Sequence, residues 1–409
     1  MTDTQKDRLA AARERLRPLF TEIGEGTVAR EQGRILPFAE VEALRAAGFG
    51  RLRLPVEHGG DGLDWPSFAE VLIELAAADS NLPQIFRGHI AYVEHVLTAP
   101  PGAWRDLWLD RLGAGELVGN AWSENGAAAV GTNATRVSRR SDGSWRVDGR
   151  KFYTTGSIFA DWIDATVDLD GTTVTALIRR EQRGVTVSDD WDGFGQPLTG
   201  TGTAVFDDAS VDDVDVEPFT ARFPFQTAVY QLTLLSVLAG IAAAIERDTA
   251  TQVRSRTRVY SHGSADRVAD DPQVLQIVGE LTAVRATARA LVLDVAREVQ
   301  HAADSLGTPS AQDAVVTAEL RSAHAQIVLT DLVPRAASRL FDTLGASAVR
   351  SGTALDRHWR NARTVSSHNP WIFKARQLGD HVVNGRVPDF VWAVGAAKAQ
   401  EGAPAPATA

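Results

Sequence analysis

Apolar positions near the amino terminus recur with a helical period. Leu9, Leu16, Leu19 and Phe20 share one side of such a helix, and Val41, Leu44 and Ala47 repeat the pattern between Phe38 and Ala47. Gly48 stops that second helix. A Gly-rich loop follows at Gly59, Gly60, Asp61 and Gly62, and Asp64 with Pro66 supplies the start of a further helix that reaches Ala78. From Val118 to about Val214 the texture changes to short β-branched and aromatic runs separated by Asp-Gly pairs; Asp142-Gly143 is a hairpin signal. Strands at this spacing predict a small antiparallel barrel or sandwich. Helical periodicity returns over roughly Gln226 to Arg256, Pro272 to Leu306, Gln312 to Thr343 and Asn369 to Val387, which predicts a bundle of four long helices. The expected class is therefore α+β, with a helical domain over 1–117, a β-domain over 118–218, a four-helix bundle over 219–396 and a disordered tail over 397–409.

Composition narrows the function. The chain has 409 residues with 42 basic and 52 acidic side chains, a net charge of −10. No stretch gathers enough Lys and Arg to form a groove for polyphosphate, so nucleic acid is not an expected partner. The absence of cysteine excludes disulfides, thiolate metal sites and a cysteine nucleophile. The nine histidines are scattered without metal-ligand spacing, so no metal is expected. The first twenty residues carry charge throughout, which reads as a helix and implies a cytoplasmic protein. The apolar run from Leu232 to Ile245 is about fourteen residues, short of the roughly 20 that span a bilayer, so no membrane association is expected.

Three stretches carry a family pattern. In NAWSENGAAAVGTNATRV, beginning at Asn120, a Ser-Glu pair precedes a small-residue loop and a Thr-containing strand. DGRKFYTTGSIFADWI follows, with Gly-x-Lys, an aromatic, hydroxyl residues, Gly and an Ala-Asp pair, and WDGFGQPLTGTGTAVFDDASV ends in Phe-Asp-Asp. With the helix–strand–helix order, these segments resemble the acyl-CoA dehydrogenase superfamily over roughly residues 5 to 395. The runs RSRTRVYSHGSADRVADDPQVLQIVGEL, DRHWRNARTVSSHNP and WIFKARQLGDHVVNG are most similar to its flavin-dependent monooxygenases of the dibenzothiophene monooxygenase type.

The resemblance implies an acyl-CoA dehydrogenase fold that takes reduced FMN from a separate reductase and adds O2 at flavin C4a. The resulting hydroperoxide oxygenates a small substrate: a sulfur compound, an aromatic ring or an amine. It implies that Asn120 and Ser123 meet the flavin's pyrimidine edge or the peroxide, that Thr155 bonds flavin N5, and that Tyr153 stacks nearby. Read alone, Asn120 and Ser123 suit a turn and Thr154-Thr155 suits a strand. By the same resemblance Arg258 meets flavin phosphate, often across a subunit boundary, Lys374 with Arg376 adds to that contact, and the assembly is a homotetramer. His368 is the expected proton handler, since imidazole changes charge near neutral pH, while its neighbours Ser366, Ser367, Asn369 and Pro370 also suit a helix cap. Asn369 serves both as cap and as pocket donor. His89, with Tyr92 three residues on, is a second catalytic candidate or a structural helical histidine.

Two departures bear on the reaction. Dehydrogenases of this superfamily carry a catalytic Glu after an Arg-Asp-Ala-like triplet; nine residues past Arg360 stands Asn369, which cannot remove a substrate proton. The alternative is an FAD-dependent acyl-CoA dehydrogenase with its Glu displaced, to Glu246 or Glu280. The dehydrogenases' Gly-rich turn for FAD pyrophosphate falls at LGASAV, where Gly345 alone survives. This agrees with FMN and leaves FAD possible. No Rossmann or phosphate-loop pattern is present, hence the expected separate reductase.

Overall fold

The computed structural model describes residues 2–125 and 131–391. The tail expected to be disordered, and residues 126–130 of the small-residue loop, lie outside the described residues. Six helices open the chain: α1 (Asp3–Gly33), α2 (Phe38–Ala46), α3 (Trp65–Ala78), α4 (Leu82–Ile85), α5 (Arg87–Thr98) and α6 (Ala103–Gly113). The sequence signals act as expected. Gly48 takes a left-handed conformation just past α2, and the Asp64 carboxylate accepts the Ser67 N–H at 2.8 Å to cap α3.

Among the described residues eight strands follow: β1 (Val118–Ala121), β2 (Arg136–Arg139), β3 (Trp145–Lys151), β4 (Trp162–Leu169), β5 (Thr172–Arg179), β6 (Val185–Val187), β7 (Ala204–Val211) and β8 (Val216–Pro218). They form one sheet in the order β6-β7-β3-β2-β4-β5-β8, with β1 paired to β4. The pairing is mixed rather than wholly antiparallel, because β1 and β2 both run parallel to β4. Asp142 and Gly143 make the β2–β3 turn as the sequence predicts: Gly143 has φ of 86° and Asp142 accepts the Ser144 N–H. The sheet curls around a core of its own that includes Val137, Val147, Ile163, Val167, Ile178 and Phe206.

The third part holds α7 (Gln226–Ser255), α8 (Pro272–Asp304), α9 (Ala311–Arg339), α10 (Asp356–Ser366) and α11 (Trp371–Asn384). By length and composition α7 could cross a bilayer, but 89% of its apolar window is buried in protein, so it is the central core helix. The fourth bundle helix differs from expectation. It is α10 that packs on both α7 and α9, whereas the segment predicted from Asn369 becomes α11 and leans on α9. The reason is chemical: the buried side of α10 carries Arg357, His358 and Asn361, so apolar periodicity does not reveal it. Asp248 of α7 ion-pairs with Arg357 and lies 3.0 Å from His358 Nε2, while Asn361 Nδ2 donates to Glu31 of α1 at 2.9 Å. The junction between the helical and β parts is aromatic, with the Arg111 guanidinium between the Trp108 and Trp162 rings at 4.7 and 4.4 Å.

Candidate functional site

Three backbone segments converge at the end of β1. The start of α5 approaches so closely that a Cβ on Gly88 would sit 2.9 Å from Asn120 Oδ1 and 3.0 Å from the Asn120 backbone N. On the other side the 153–157 loop docks through Ser157, whose Oγ donates to the Asn120 carbonyl at 3.1 Å. Asn120 is buried, and its Oδ1 has no hydrogen-bond partner among the described residues. A buried amide oxygen in that state suits a ligand N–H donor.

Thr155 is buried and ends a hydroxyl chain. Its Oγ1 lies 2.8 Å from Thr201 Oγ1, which lies 2.8 Å from Thr199 Oγ1, and Thr199 donates to the Gln196 carbonyl. With the Thr199 proton given to Gln196, Thr201 donates to Thr199 and Thr155 donates to Thr201, which leaves a Thr155 lone pair to accept from a ligand N–H. The sequence singled out Thr155 and missed Thr199 and Thr201, which stand in the Gly-Thr run before β7. Tyr153 precedes them with φ of 57° and a half-exposed ring set edge-on to Trp191. Ser123 is half-buried, and its carbonyl accepts the Phe152 N–H, tying the strand after β1 to the end of β3.

The opposite wall comes from α7 and the α10–α11 connection. Trp122 meets the rings of Tyr230 and Phe219 at 5.2 and 5.4 Å, and its Nε1 donates to Asp164, which ion-pairs with Arg222. Asn369 is fixed from both sides: its Nδ2 donates to Gln231 Oε1 at 3.0 Å, and its Oδ1 accepts from Gln326 Nε2. An amide therefore stands, doubly bonded, where a proton-abstracting carboxylate would be needed. His368 is held to the end of α10 through its backbone N–H to the Val365 carbonyl. Burial, with a smaller contribution from the Arg87 charge, pulls its imidazole down to about 3, so the ring is neutral at working pH. Arg87 itself, on the first turn of α5, places its guanidinium 5.3 Å from the Tyr230 ring centre. Neither Arg87 nor Tyr230 stood out in the sequence, where each is one residue in a helical run.

His89 is held at both ring nitrogens, as in the structural one of its two readings. Its Nε2 contacts the Gly50 carbonyl at 2.9 Å and its Nδ1 accepts the Val118 N–H at 3.3 Å, so both ring nitrogens are taken by backbone. Burial above all lowers it to about 4. It is a neutral clamp joining the turn after α2, α5 and β1, and no nitrogen is left for proton transfer. Tyr92, its expected companion, packs against Trp108 and under Arg222. Lys374 is half-buried on α11; burial lowers its pKa, and the charges of Glu319 and Asp389 oppose that shift. Arg258 is exposed in the extended segment after α7, outside this cluster within one chain.

Comparison with known proteins identifies the family. The profile of the acyl-CoA dehydrogenase N-terminal domain matches residues 4–116, and that of the C-terminal domain matches residues 232–371. The complex of TdsC from Paenibacillus sp. A11-2 with FMN and indole superposes with a TM-score of 0.85 at 30% identity, covering 92% of this chain and 98% of that one. The chain belongs to the acyl-CoA dehydrogenase superfamily, on its flavin-dependent monooxygenase branch. Within that superfamily, dibenzothiophene monooxygenase of Rhodococcus erythropolis is 28% identical over 369 residues, 86% of this chain and 88% of the relative. Methanesulfinate monooxygenase MsuC from Pseudomonas fluorescens has a TM-score of 0.82 at 26% identity, covering 96% and 99%. This monooxygenase scaffold fits a flavin by its own residues. The orphaned Asn120 Oδ1, the Thr155 hydroxyl chain and the side-chain-free backbone at Gly88 form a polar cradle for a flat heterocycle.

Proposed function

We propose that this protein is the oxygenase of a two-component system. FMN, reduced by a separate flavin reductase, binds here; one atom of dioxygen enters a small substrate and the other leaves as water. The substrate is a sulfur compound, an aromatic ring or an amine, a range that agrees with the indole held by TdsC and the sulfinate named for MsuC. The reading rests on Asn369, whose amide is locked between Gln231 and Gln326 and has no basicity to offer.

When bound, reduced FMN supplies the electrons that activate dioxygen. The chain's own residues do the rest. Asn120, Ser123 and Thr155 would hold the polar edge of the ring, with Thr199 and Thr201 orienting the Thr155 hydroxyl. Trp122 and Tyr230 shield the site from water. His368, a neutral imidazole because burial lowers its pKa, would relay a proton without carrying permanent charge. Arg258, exposed in one chain, would reach flavin phosphate only across a subunit boundary, as in a homotetramer.

Against the acyl-CoA dehydrogenase alternative stand the positions of its carboxylates. Glu246 lies sixteen residues beyond Tyr230 on α7, about 24 Å along the axis at 1.5 Å per residue, and is paired to Arg285. Glu280 is paired to Arg339 at 3.1 Å. The loop at Gly345–Val349 retains a single glycine for any pyrophosphate, in keeping with FMN over FAD.

The test supplies NADH, a generic flavin reductase, FMN and 18O2 with a panel of sulfides, indoles, amines and sulfinates. Label should enter product only when reduced flavin is supplied. A preparation carrying stoichiometric FAD that an acyl-CoA bleaches without any reductase overturns the proposal. His368→Ala is expected to divert at least about half of the turnover to free hydrogen peroxide, in line with general acid–base contributions of ~100-fold or more. Unchanged coupling removes His368 from proton transfer.

A further inference from the structure

Among the described residues four arginines are buried to a similar degree: Arg30, Arg87, Arg222 and Arg357, at 8, 6, 8 and 7% exposure. Three have carboxylates. Arg30 pairs with Asp79 at 3.0 Å and Glu40 at 2.9 Å, Arg222 with Asp164, and Arg357 with Asp248. Arg87 has none within ion-pair distance, and its Nε has no hydrogen-bond partner among the described residues. Its contact is the Tyr230 ring at 5.3 Å. A cation–π contact does not by itself offset the cost of burying a guanidinium. A charge held this way is stable only when something else completes it.

The position of Arg87 says what that is. It sits on the first turn of α5, next to the Gly88 backbone that touches Asn120, and its charge reaches His368. It therefore lies at the candidate site. The neighbouring carboxylate, Asp164, is already occupied by Arg222 and Trp122. Tyr230 is kept as a neutral phenol, because burial raises its pKa above the ordinary value. A planar guanidinium beside a neutral hydroxyl and a neutral imidazole is a fork for a compact oxyanion.

We propose that Arg87 is an oxyanion receptor and that the substrate this enzyme oxygenates carries a carboxylate or a sulfur oxyanion. The proposal deepens the monooxygenase reading and takes its reaction from it. The acid group would dock on Arg87 beside Trp122 and Tyr230, presenting the rest of the molecule to the reactive centre. Burial is the main cause of the lowered His368 pKa and the Arg87 charge the lesser one; an anion there offsets the Arg87 part, so substrate binding would make His368 somewhat more basic.

The test measures binding by calorimetry, with and without saturating FMN, and follows quenching of tryptophan fluorescence. The probes are benzenesulfinate and benzoate, each set against a neutral isostere, methyl phenyl sulfoxide and benzamide. At least one anion should bind at least ~10-fold tighter than its isostere, as a charge-assisted hydrogen bond implies. The arm that shows the preference tells a sulfur acid from a carboxylic acid. Arg87→Met should abolish the preference while leaving the isostere and FMN affinities unchanged, and Arg87→Lys should keep part of it. Because Met removes an uncompensated buried charge, its Tm should match or exceed that of wild type, so loss of binding is not loss of fold. Equal binding of anion and isostere by wild type, or an Arg87→Met variant that keeps the preference, overturns the proposal. So does a variant whose FMN affinity falls in place of the anion's, since Arg87 would then serve the flavin. If wild type binds no FMN at all, the monooxygenase reading fails separately, and the preference is still read on the flavin-free protein.

Discussion

Glu319 shows how much the bundle tolerates next to its site. It is buried on α9, and its carboxylate accepts the Ala228 N–H at 2.8 Å, capping the first turn of α7 from inside the protein. Burial raises its pKa from 4.5 to about 7, with the α7 amide and Lys374 opposing the rise. A carboxyl whose folded pKa lies above its unfolded one stabilises fully below the unfolded value and loses that stability as pH rises through the folded value. Glu319→Gln keeps an acceptor for Ala228 and removes the titration. Its stability relative to wild type, read from urea midpoints, should therefore improve by about 2 kcal/mol between about pH 5 and pH 8. A flat difference across that window would mean that Glu319 ionises freely in the fold. At this scale the sequence was informative where residues act within one motif. Asn120 and Thr155 belong to contiguous patterns, and both lie at the convergence of β1, α5 and the 153–157 loop. Arg87, Tyr230, Thr201 and Gln326 come from segments far apart in the chain, so their contacts exist only once the bundle closes on the sheet. His89 misled because a histidine on a helix looks the same whether its nitrogens meet a ligand or the backbone of another element.

Among elements, α10 matters most to the site, because its last turn leads directly to His368 and Asn369. It is held by charge rather than by oil: Asp248 on α7 receives both Arg357 and His358, and Asn361 joins Glu31 of α1 and the Gln196 N–H. Apolar periodicity located α7, α8 and α9, whose buried faces are rich in Leu, Val, Ile and Ala. It passed over α10, whose buried face reads as polar. Breaking this anchor should be costly in two ways. Asp248→Asn leaves the buried Arg357 guanidinium without its counter-charge, a loss of about 3 kcal/mol. It should also let the His368 end of α10 shift, so peroxide release should increase even at temperatures where the variant is fully folded. Thermal unfolding and a coupling assay on the same preparation check both. A variant with lowered Tm but wild-type coupling would show that α10 supports the fold without positioning His368.

At the level of the whole molecule, one chain leaves apolar surface that a folded domain does not need. On α11, Val382 and Val383 are each 79% exposed, Ile372 59% and Phe373 53%, on the side of the helix away from α9. A patch of this kind on a protein of net charge −10 is the ordinary mark of a subunit contact. The proposed phosphate role of Arg258 would give such a contact a reason, since that side chain is exposed within one chain. If the assembly is the homotetramer that the resemblance implies, light scattering behind size exclusion should give four times the 44.0 kDa chain mass, independent of dilution down to micromolar concentration. The double change Val382→Asp with Val383→Asp places two like charges on that face and should yield smaller species with unchanged helix content by circular dichroism. If the assembly completes the phosphate subsite, FMN affinity should fall in this variant by about tenfold, and Arg258→Ala in the intact assembly should weaken FMN by a similar factor. A monomeric wild type that binds FMN tightly would separate the cofactor site from any subunit boundary and leave Arg258 as a surface charge.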